Sequence, residues 1–263
     1  MSYEFVQIEK REQLTIITIN RPEVMNALHP PASLELDEIF SEFAADPEAW
    51  IAIITGAGKK AFCAGNDLKW QARHGAQALR DGMNSLRGGF GGLTNRFDCF
   101  KPVVAAVNGL ALGGGFELVL ACDIVVAADH ALFGLPEPTV GNMAASGGVH
   151  RLARQLPYHL AMGYLLTGAR ISIADAFKYG LVNEVVSADR LMAAAEAWAE
   201  RILKCAPLSV RATKEAVQLG LEMPLSNAVN NVFAGMHTMR ASEDYMEGPR
   251  AFAEKRAPRW KGK

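Results

Sequence analysis

The stretch VNGLALGGGFEL, residues 107–118, carries the strongest signal for fold and function in this chain. Three glycines, Gly113 to Gly115, end an apolar run and open a segment that is typical of a helix start. Glycine lets the backbone approach a ligand closely and adopt dihedral angles that a side chain would forbid. The first N–H groups of a helix have no partner inside it, and the helix dipole makes that end electropositive. We therefore expect these glycines to face a negatively charged oxygen, with Glu117 beside it as an acid or base.

Two further segments supply the other parts of a catalytic site. The sequence AFCAGNDLK, residues 61–69, follows a buried strand and a turn, and its small residues expose backbone N–H groups. Two donors, one from each glycine-containing segment, would polarise one carbonyl oxygen from two sides, as an oxyanion hole does. The sequence FGLPEP, residues 133–138, places Glu137 in a turn between two prolines. Two carboxyl groups in different environments are typical of general acid–base catalysis.

In this order and spacing, the segments resemble the signature of the crotonase (enoyl-CoA hydratase/isomerase) superfamily. The resemblance rests on residues 62–69, 108–123 and 133–137, and it extends from residue 14 to the C-terminus. It implies a homo-oligomeric, cofactor-free enzyme that acts on acyl-CoA thioesters, with coenzyme A as part of the substrate. It also implies that the N–H groups of Asn66 and Gly114 hold the thioester oxygen. The two glutamates of the hydratase members match Glu117 and Glu137.

The same resemblance implies a set of residues that contact CoA or the acyl group. They are Val24, Ala64, Asp67, Leu68, Lys69, Trp70, Gly141, Phe252 and Lys255. Phe252 and Lys255 lie in the C-terminal segment AFAEKR, residues 251–256, for which a plain amphipathic helix with an exposed lysine is the alternative interpretation.

The chain is expected to have an α/β fold, because short β-rich runs alternate with helical patterns. The predicted strands are 14–19, 51–55, 103–107, 124–127 and 182–186, and the predicted helices are 32–44, 115–122, 148–155 and 173–179, the last capped by Ser172. Four helices are predicted after residue 189, at 190–203, 208–221, 224–238 and 242–255. The resemblance makes residues 1–200 a crotonase-like ββα spiral that binds acyl-CoA. It makes residues 201–263 an α-helical trimerisation region, so that a homotrimer or a dimer of trimers is expected.

Composition narrows the class of protein. Half of the 263 residues are hydrophobic and the net charge is −1, which argues against nucleic acid as the main partner. The apolar run at residues 118–128 is interrupted by Asp123 and is too short to span a membrane. No signal peptide is visible, so we expect a cytoplasmic protein. The four cysteines are widely spaced, which predicts reduced thiols and no metal site.

Several alternatives stay open at this level. Residues 88–94 and the tail after Glu247 are similar to those of carnitinyl-CoA dehydratases, whose quaternary ammonium substrate would call for aromatic faces such as Trp70, Phe90 and Phe97. The glycine-rich patch GGFGG, residues 88–92, is either a lid hinge or a flexible loop. After Gly141, the loop NMAASGG lacks the Pro-Gly of many hydratases, which predicts an unusual acyl pocket. An enoyl-CoA isomerase, a CoA-thioester hydrolase, and a non-catalytic RNA-binding or assembly subunit are the remaining alternatives.

Overall fold

The apolar runs of the sequence form the strands of two β-sheets. The computed structural model describes residues 3–263. Its strands are β1 (Val6–Arg11), β2 (Leu14–Ile19), β3 (Ile51–Gly56), β4 (Ala61–Cys63), β5 (Val103–Val107), β6 (Leu110–Leu112), β7 (Ile124–Ala128), β8 (Leu132–Gly134), β9 (Arg170–Ser172) and β10 (Glu184–Val186). The larger sheet has the order β1-β2-β3-β5-β7-β10, and the smaller has the order β4-β6-β8-β9. In each sheet the strands are parallel except for β1 and β9, which pair antiparallel at one edge.

From β3 to β8, successive strands alternate between the two sheets. β3, β5 and β7 lie in the larger sheet, and the short strand that follows each of them lies in the smaller one. A helix follows the second strand in the first two of these units, which gives a repeated ββα pattern. The expected α/β class and ββα core are therefore confirmed.

The helices surround these sheets and dominate the C-terminal part. They are α1 (Pro30–Ala45), α2 (Leu68–Asn84), α3 (Gly114–Leu120), α4 (Gly148–Gln155), α5 (Tyr158–Thr167), α6 (Ile173–Lys178), α7 (Leu191–Leu203), α8 (Pro207–Gly220), α9 (Leu225–Asn230), α10 (Ala234–Ala241) and α11 (Glu243–Ala253). The predicted cap of α6 is present, because the Ser172 hydroxyl accepts the N–H of Asp175. Within residues 3–263, no helix is long and apolar enough to cross a membrane.

The larger sheet buries both faces, because alternate residues of a strand point to opposite sides. Ala52 and Ile54 join a large apolar cluster that also contains side chains of α1 and α3. Ile51 and Ile53 point the other way and pack with Leu191, Ala195 and Ala199 of α7. The first helix after residue 189 thus covers the larger sheet. The predicted boundary between the core and the C-terminal region at residue 200 stays a prediction.

One helix prediction needs correction, and two helices were not predicted. The single helix predicted at 224–238 is two helices, α9 and α10, separated by extended residues at Asn231 and Phe233. α2 was not predicted, because none of its residues is buried and Gly75 interrupts it with φ of 85°. α5 was not predicted either, since its sequence is apolar on most sides and lacks a helical stripe.

Candidate active site

Parallel pairing of β4 with β6 brings the two glycine-containing segments together. Cys63 pairs with Ala111, so the residues after both strands leave the small sheet at the same edge. The backbones approach so closely that a Cβ atom on Gly65 would lie 2.7 Å from the Leu112 carbonyl oxygen and 3.1 Å from the Gly114 nitrogen. Gly65 also has φ of 90°, which strains any other residue. Only glycine therefore fits at this crossing.

The backbone N–H groups of Asn66 and Gly114 are both available to a ligand. Asn66 forms a parallel bridge with Leu28, but that bridge uses the carbonyl of Gly65 and the N–H of Asp67. Gly114 is the first residue of α3, where an N–H has no helical acceptor. Among residues 3–263, neither N–H is hydrogen-bonded to a backbone or side-chain acceptor. Two free donors therefore lie at neighbouring positions on one edge of the small sheet.

Glu117 lies in the first turn of α3 and is 3% exposed. Its Oε1 accepts the N–H of Gly148, the first residue of α4, at 2.8 Å. The pKa of Glu117 is raised to about 7. Burial is the main cause and the charge of Glu137 adds to it, while the backbone N–H groups of Gly148 and Ser146 and the Arg151 guanidinium act in the opposite direction. This carboxyl group can therefore gain or lose a proton near neutral pH.

Glu137 lies close to the glycines that precede Glu117. It opens a 3-10 turn, Glu137–Val140, directly after the small sheet. Its Oε1 lies 3.1 Å from the position that a Cβ atom on Gly113 would take, and its buried Oε2 has no partner among the described residues. Burial raises the pKa of Glu137 above the usual value. The structure thus places both predicted glutamates beside the Gly113–Gly114 backbone.

The loop of residues 87–97, here called the Phe90 loop, packs against Gly114 and forms one wall of the site. A Cβ atom on Gly114 would lie 2.5 Å from the Phe90 ring, so the ring packs directly on this glycine. Phe90, Gly91 and Gly92 are buried, and the Asp37 carboxylate of α1 accepts the N–H groups of Arg87 and Gly88. The patch at residues 88–92 is therefore packed as a wall of the site in this structure, and a role as a lid hinge or a flexible loop stays a prediction.

Most of the other predicted contact residues lie around the Asn66 donor. The Asp67 carboxylate is buried, pairs with Arg21 at 3.1 Å and accepts the N–H of Trp70 as the cap of α2. Leu68 and Lys69 are exposed in the first turn of α2, while Ala64 and Val24 are half-buried. Asp67 therefore fixes the start of α2, and its contact with a substrate stays a prediction.

The remaining predicted contacts lie elsewhere. Gly141 ends the Glu137–Val140 turn in a left-handed conformation and is exposed. Phe252, near the end of α11, is 88% exposed, and Lys255 is exposed just beyond the helix. Neither side chain is held by the chain itself, so their contact with CoA also stays a prediction.

A cysteine nucleophile loses support, and the aromatic residues considered for a quaternary ammonium group are placed by the structure. Burial raises the pKa of the Cys63 thiol to about 12, so a thiolate nucleophile at this position is disfavoured. The three aromatic residues considered for a quaternary ammonium group have separate environments. Trp70 stacks on His74 at 4.3 Å, Phe90 packs on Gly114, and Phe97 is exposed with the Arg151 guanidinium over its ring.

Sequence reasoning missed Arg151, Phe90 as a neighbour of Gly114, and the Asp37 anchor. Arg151 is half-buried, donates to the Thr94 carbonyl at 2.7 Å and influences the pKa of Glu117. Asp37 and the Phe90 loop are separated by 50 or more residues in the chain, so no local pattern joins them. The unusual glycine density at residues 88–92 was the one available signal.

Comparison with known proteins identifies the family. The sequence model of the family described as "Enoyl-CoA hydratase/isomerase" matches residues 9–263. A carnitinyl-CoA dehydratase of Citrobacter koseri is 45% identical over 251 residues, which cover 94% of each chain. An (E)-benzylidenesuccinyl-CoA hydratase of Thauera aromatica is 41% identical over 261 residues, 98% of this chain and 99% of the relative.

Solved structures agree. The crystal structure of an enoyl-CoA hydratase from Mycobacterium tuberculosis H37Rv superposes with a TM-score of 0.90 at 38% identity and covers 98% of this chain and 99% of that one. An enoyl-CoA hydratase from Bacillus anthracis gives a TM-score of 0.92 at 35% identity, covering 99% of this chain and 100% of that one. The matches span nearly the whole chain and all the segments of the site. The chain therefore belongs to the enoyl-CoA hydratase/isomerase family, the crotonase superfamily.

Proposed function

We propose that the protein catalyses the reversible syn addition of water to a 2-enoyl-CoA thioester. The observation that carries this proposal is the position of two carboxyl groups in one site. The buried Glu117 carboxylate accepts the N–H of Gly148, and the half-buried Glu137 carboxylate lies against Gly113, the residue before the free N–H of Gly114. The N–H groups of Asn66 and Gly114 stabilise negative charge on the thioester oxygen as C2 gains electron density. One such donor typically contributes about 3 kcal/mol to transition-state stabilisation.

Each glutamate has one task in the hydration direction. Glu117, ionised, orients a water molecule and takes its proton as the oxygen bonds to C3. Glu137, protonated, gives its proton to C2, and a 3-hydroxyacyl-CoA results. In dehydration the two roles exchange. Burial raises the pKa of both groups above that of an ordinary glutamate, which favours proton exchange with the substrate and water.

The test is hydration of crotonyl-CoA, followed by loss of the enoyl-thioester absorbance. We expect E117Q and E137Q each to lower kcat by orders of magnitude with little change in acyl-CoA affinity, while E200Q on the exposed face of α7 keeps wild-type activity. Wild-type turnover in either active-site variant would refute the two-carboxylate mechanism. Incorporation of solvent oxygen separates a hydratase from an isomerase, and release of free CoA thiol would identify a thioester hydrolase.

The acyl group is a separate question. The names of the relatives concern carnitinyl-CoA and (E)-benzylidenesuccinyl-CoA, and we propose a substituted 2-enoyl-CoA for this chain as the second candidate. A panel of crotonyl-CoA, longer enoyl-CoAs, crotonobetainyl-CoA and (E)-benzylidenesuccinyl-CoA ranks these by kcat/KM. A salt-sensitive RNA shift with no hydration of any thioester would favour the non-catalytic alternative instead.

We also propose that the C-terminal helices assemble the chain into a homotrimer or a dimer of trimers. Leu221, Leu225 and Val229 at and beside α9 are 74–78% exposed, and such clustered apolar side chains usually mark an interaction surface. Sedimentation equilibrium measures the mass directly. A monomer at micromolar concentration would contradict this assembly.

A further inference from the structure

Arg151 connects the two sides of the site. It lies in the first turn of α4, where its backbone N–H donates to the Gly147 carbonyl at 2.8 Å. Its guanidinium donates to the Thr94 carbonyl in the Phe90 loop at 2.7 Å and lies 5.5 Å from the centre of the Phe97 ring. One side chain thus joins the start of α4 to the loop that covers Gly114.

The guanidinium also packs on the turn that holds Glu117. A Cβ atom on Gly147 would lie 2.1 Å from Nη1 of Arg151, so the guanidinium occupies the space beside this glycine. The next residue, Gly148, donates its N–H to Oε1 of Glu117 at 2.8 Å. The guanidinium therefore packs on the turn whose next N–H orients the Glu117 carboxylate.

The charges that face Glu117 are few. α3 packs against β4, β6, α4 and the turn at residues 90–92, and Glu137 approaches across Gly113. The titratable side chains on these elements are Cys63, Glu137, His150, Arg151 and Arg154. Burial keeps the Cys63 thiol neutral, and His150 and Arg154 are exposed. Arg151 and Glu137 therefore act on the Glu117 carboxylate with opposite sign.

We propose that Arg151 is a positioning residue for this reaction, whose guanidinium fixes the Gly147–Gly148 turn and sets its positive charge against the Glu117 carboxylate. The proposal rests on the proposed function, in which Glu117 must be ionised to take a proton from water. Without this charge, Glu117 ionises at a higher pH, because both burial and Glu137 favour its neutral form.

The test compares the pH dependence of kcat/KM for crotonyl-CoA in R151Q, R151K and the wild type. R151K keeps the positive charge and R151Q removes it. We expect the acid limb in R151Q to move to higher pH, so that kcat/KM at pH 6 falls severalfold relative to the wild type and recovers at higher pH. The limb stays in place in R151K. The exposed neighbour Arg154 supplies the control, and R154Q should match the wild type at every pH.

Equal losses of activity in R151Q and R151K at every pH value would overturn the proposal, since a packing defect that the positive charge does not relieve acts in that way. An unchanged R151Q profile would overturn it too. If R151Q does not fold, as judged by circular dichroism, the acid limb of R151M decides in the same way. A wild type that hydrates no enoyl-CoA would instead refute the proposed function, so the two failures are distinguishable.

Discussion

The Glu117 carboxyl group lies within an apolar helix of which every residue is buried. Its pKa is raised from 4.5 to about 7, mainly by burial, although the N–H of Gly148 donates a hydrogen bond to the carboxylate. An ionised carboxylate at this position therefore costs folding free energy, and the same cost makes the group a competent base at neutral pH. Activity and stability oppose each other at this residue.

The first prediction is that E117Q is more stable than the wild type above neutral pH. The folded pKa is raised, so the penalty is full above pH 7 and is lost as the pH falls through 7 toward 4.5. The gain at pH 8 is at most about 3 kcal/mol, because one pKa unit corresponds to about 1.4 kcal/mol. Thermal unfolding at pH 8 and at pH 5 measures it. We expect the Tm of E117Q to exceed that of the wild type at pH 8 and to differ much less from it at pH 5, while E200Q has the wild-type Tm at both. An equal Tm difference between E117Q and the wild type at both pH values would contradict the argument.

The second prediction concerns Gly115, the last of the three glycines at residues 113–115, which packs against β4. A Cβ atom on Gly115 would lie 2.0 Å from the Cys63 carbonyl oxygen, a backbone atom that cannot move cheaply. We expect G115A to lose about 3 kcal/mol of stability or more through this overpacking. In the helix α5, a Cβ atom on Gly163 meets nothing within 4 Å, so G163A should be neutral or slightly stabilising. Urea unfolding measures the free energy of unfolding of both variants. A G115A variant as stable as the wild type would show that β4 and α3 can move apart without cost.

At the scale of elements, the sequence predicted those parts that bury a long apolar run. β2 and β5 match their predicted ranges, because five or six consecutive apolar or β-branched residues leave no helical alternative. The strands β4, β6, β8 and β9 have three residues each, too few for a periodic signal.

The residues of the site show the same difference between local and long-range signals. Gly114 and Glu117 were found because glycine and glutamate stand in a short local motif whose backbone chemistry is readable. Arg151 and Phe90 were not, because their partners come from distant elements that only the folded chain brings together. Local motifs therefore gave the reacting groups, and tertiary contacts gave the residues that hold them.

The Phe90 loop depends on one buried ion pair, which gives the third prediction. The Arg96 side chain is 1% exposed, and it pairs with Asp37 of α1 and donates to the Gly92 carbonyl. D37N leaves this guanidinium buried without a counter-charge, which typically costs about 3–5 kcal/mol. We expect a large loss of Tm and a lower kcat/KM, because the Phe90 wall over Gly114 loosens.

A surface ion pair provides the control for D37N. Lys10 pairs with Asp46 at 3.0 Å, but the lysine side chain is 55% exposed. K10M should change the stability by less than about 1 kcal/mol. Similar losses in D37N and K10M would show that burial of the Asp37–Arg96 pair has no special weight.

At the scale of the whole molecule, the C-terminal tail folds back onto the C-terminal helices. Residues 256–263 run beside α11, and a cavity of about 510 Å³ between them is lined mostly by charged side chains, among them Asp244, Arg250 and Arg259. The Trp260 indole donates to the Lys204 carbonyl just after α7, the helix that covers the large sheet. The tail therefore links α11 to the core, next to the helices proposed to assemble the oligomer.

Asp244 holds this tail, which leads to the fourth prediction. It is 4% exposed, and its two carboxylate oxygens accept the N–H groups of Lys261 and Gly262 at 2.7 and 2.8 Å. D244A removes both acceptors and a negative charge near the start of α11, so we expect a loss of about 1–3 kcal/mol and a detached tail.

Limited trypsin digestion reports on the tail directly, because a detached tail exposes the bonds after Arg259 and Lys261, and mass spectrometry identifies the shortened chain. We expect D244A to lose its C-terminal residues several times faster than the wild type. In E243Q, the neighbouring carboxylate is replaced, but its partner Lys261 is 57% exposed, so the cleavage rate should stay close to that of the wild type. Equal rates in D244A and E243Q would mean that Trp260 and the backbone hold the tail without Asp244, and that the link from α11 to the core does not depend on a buried charge.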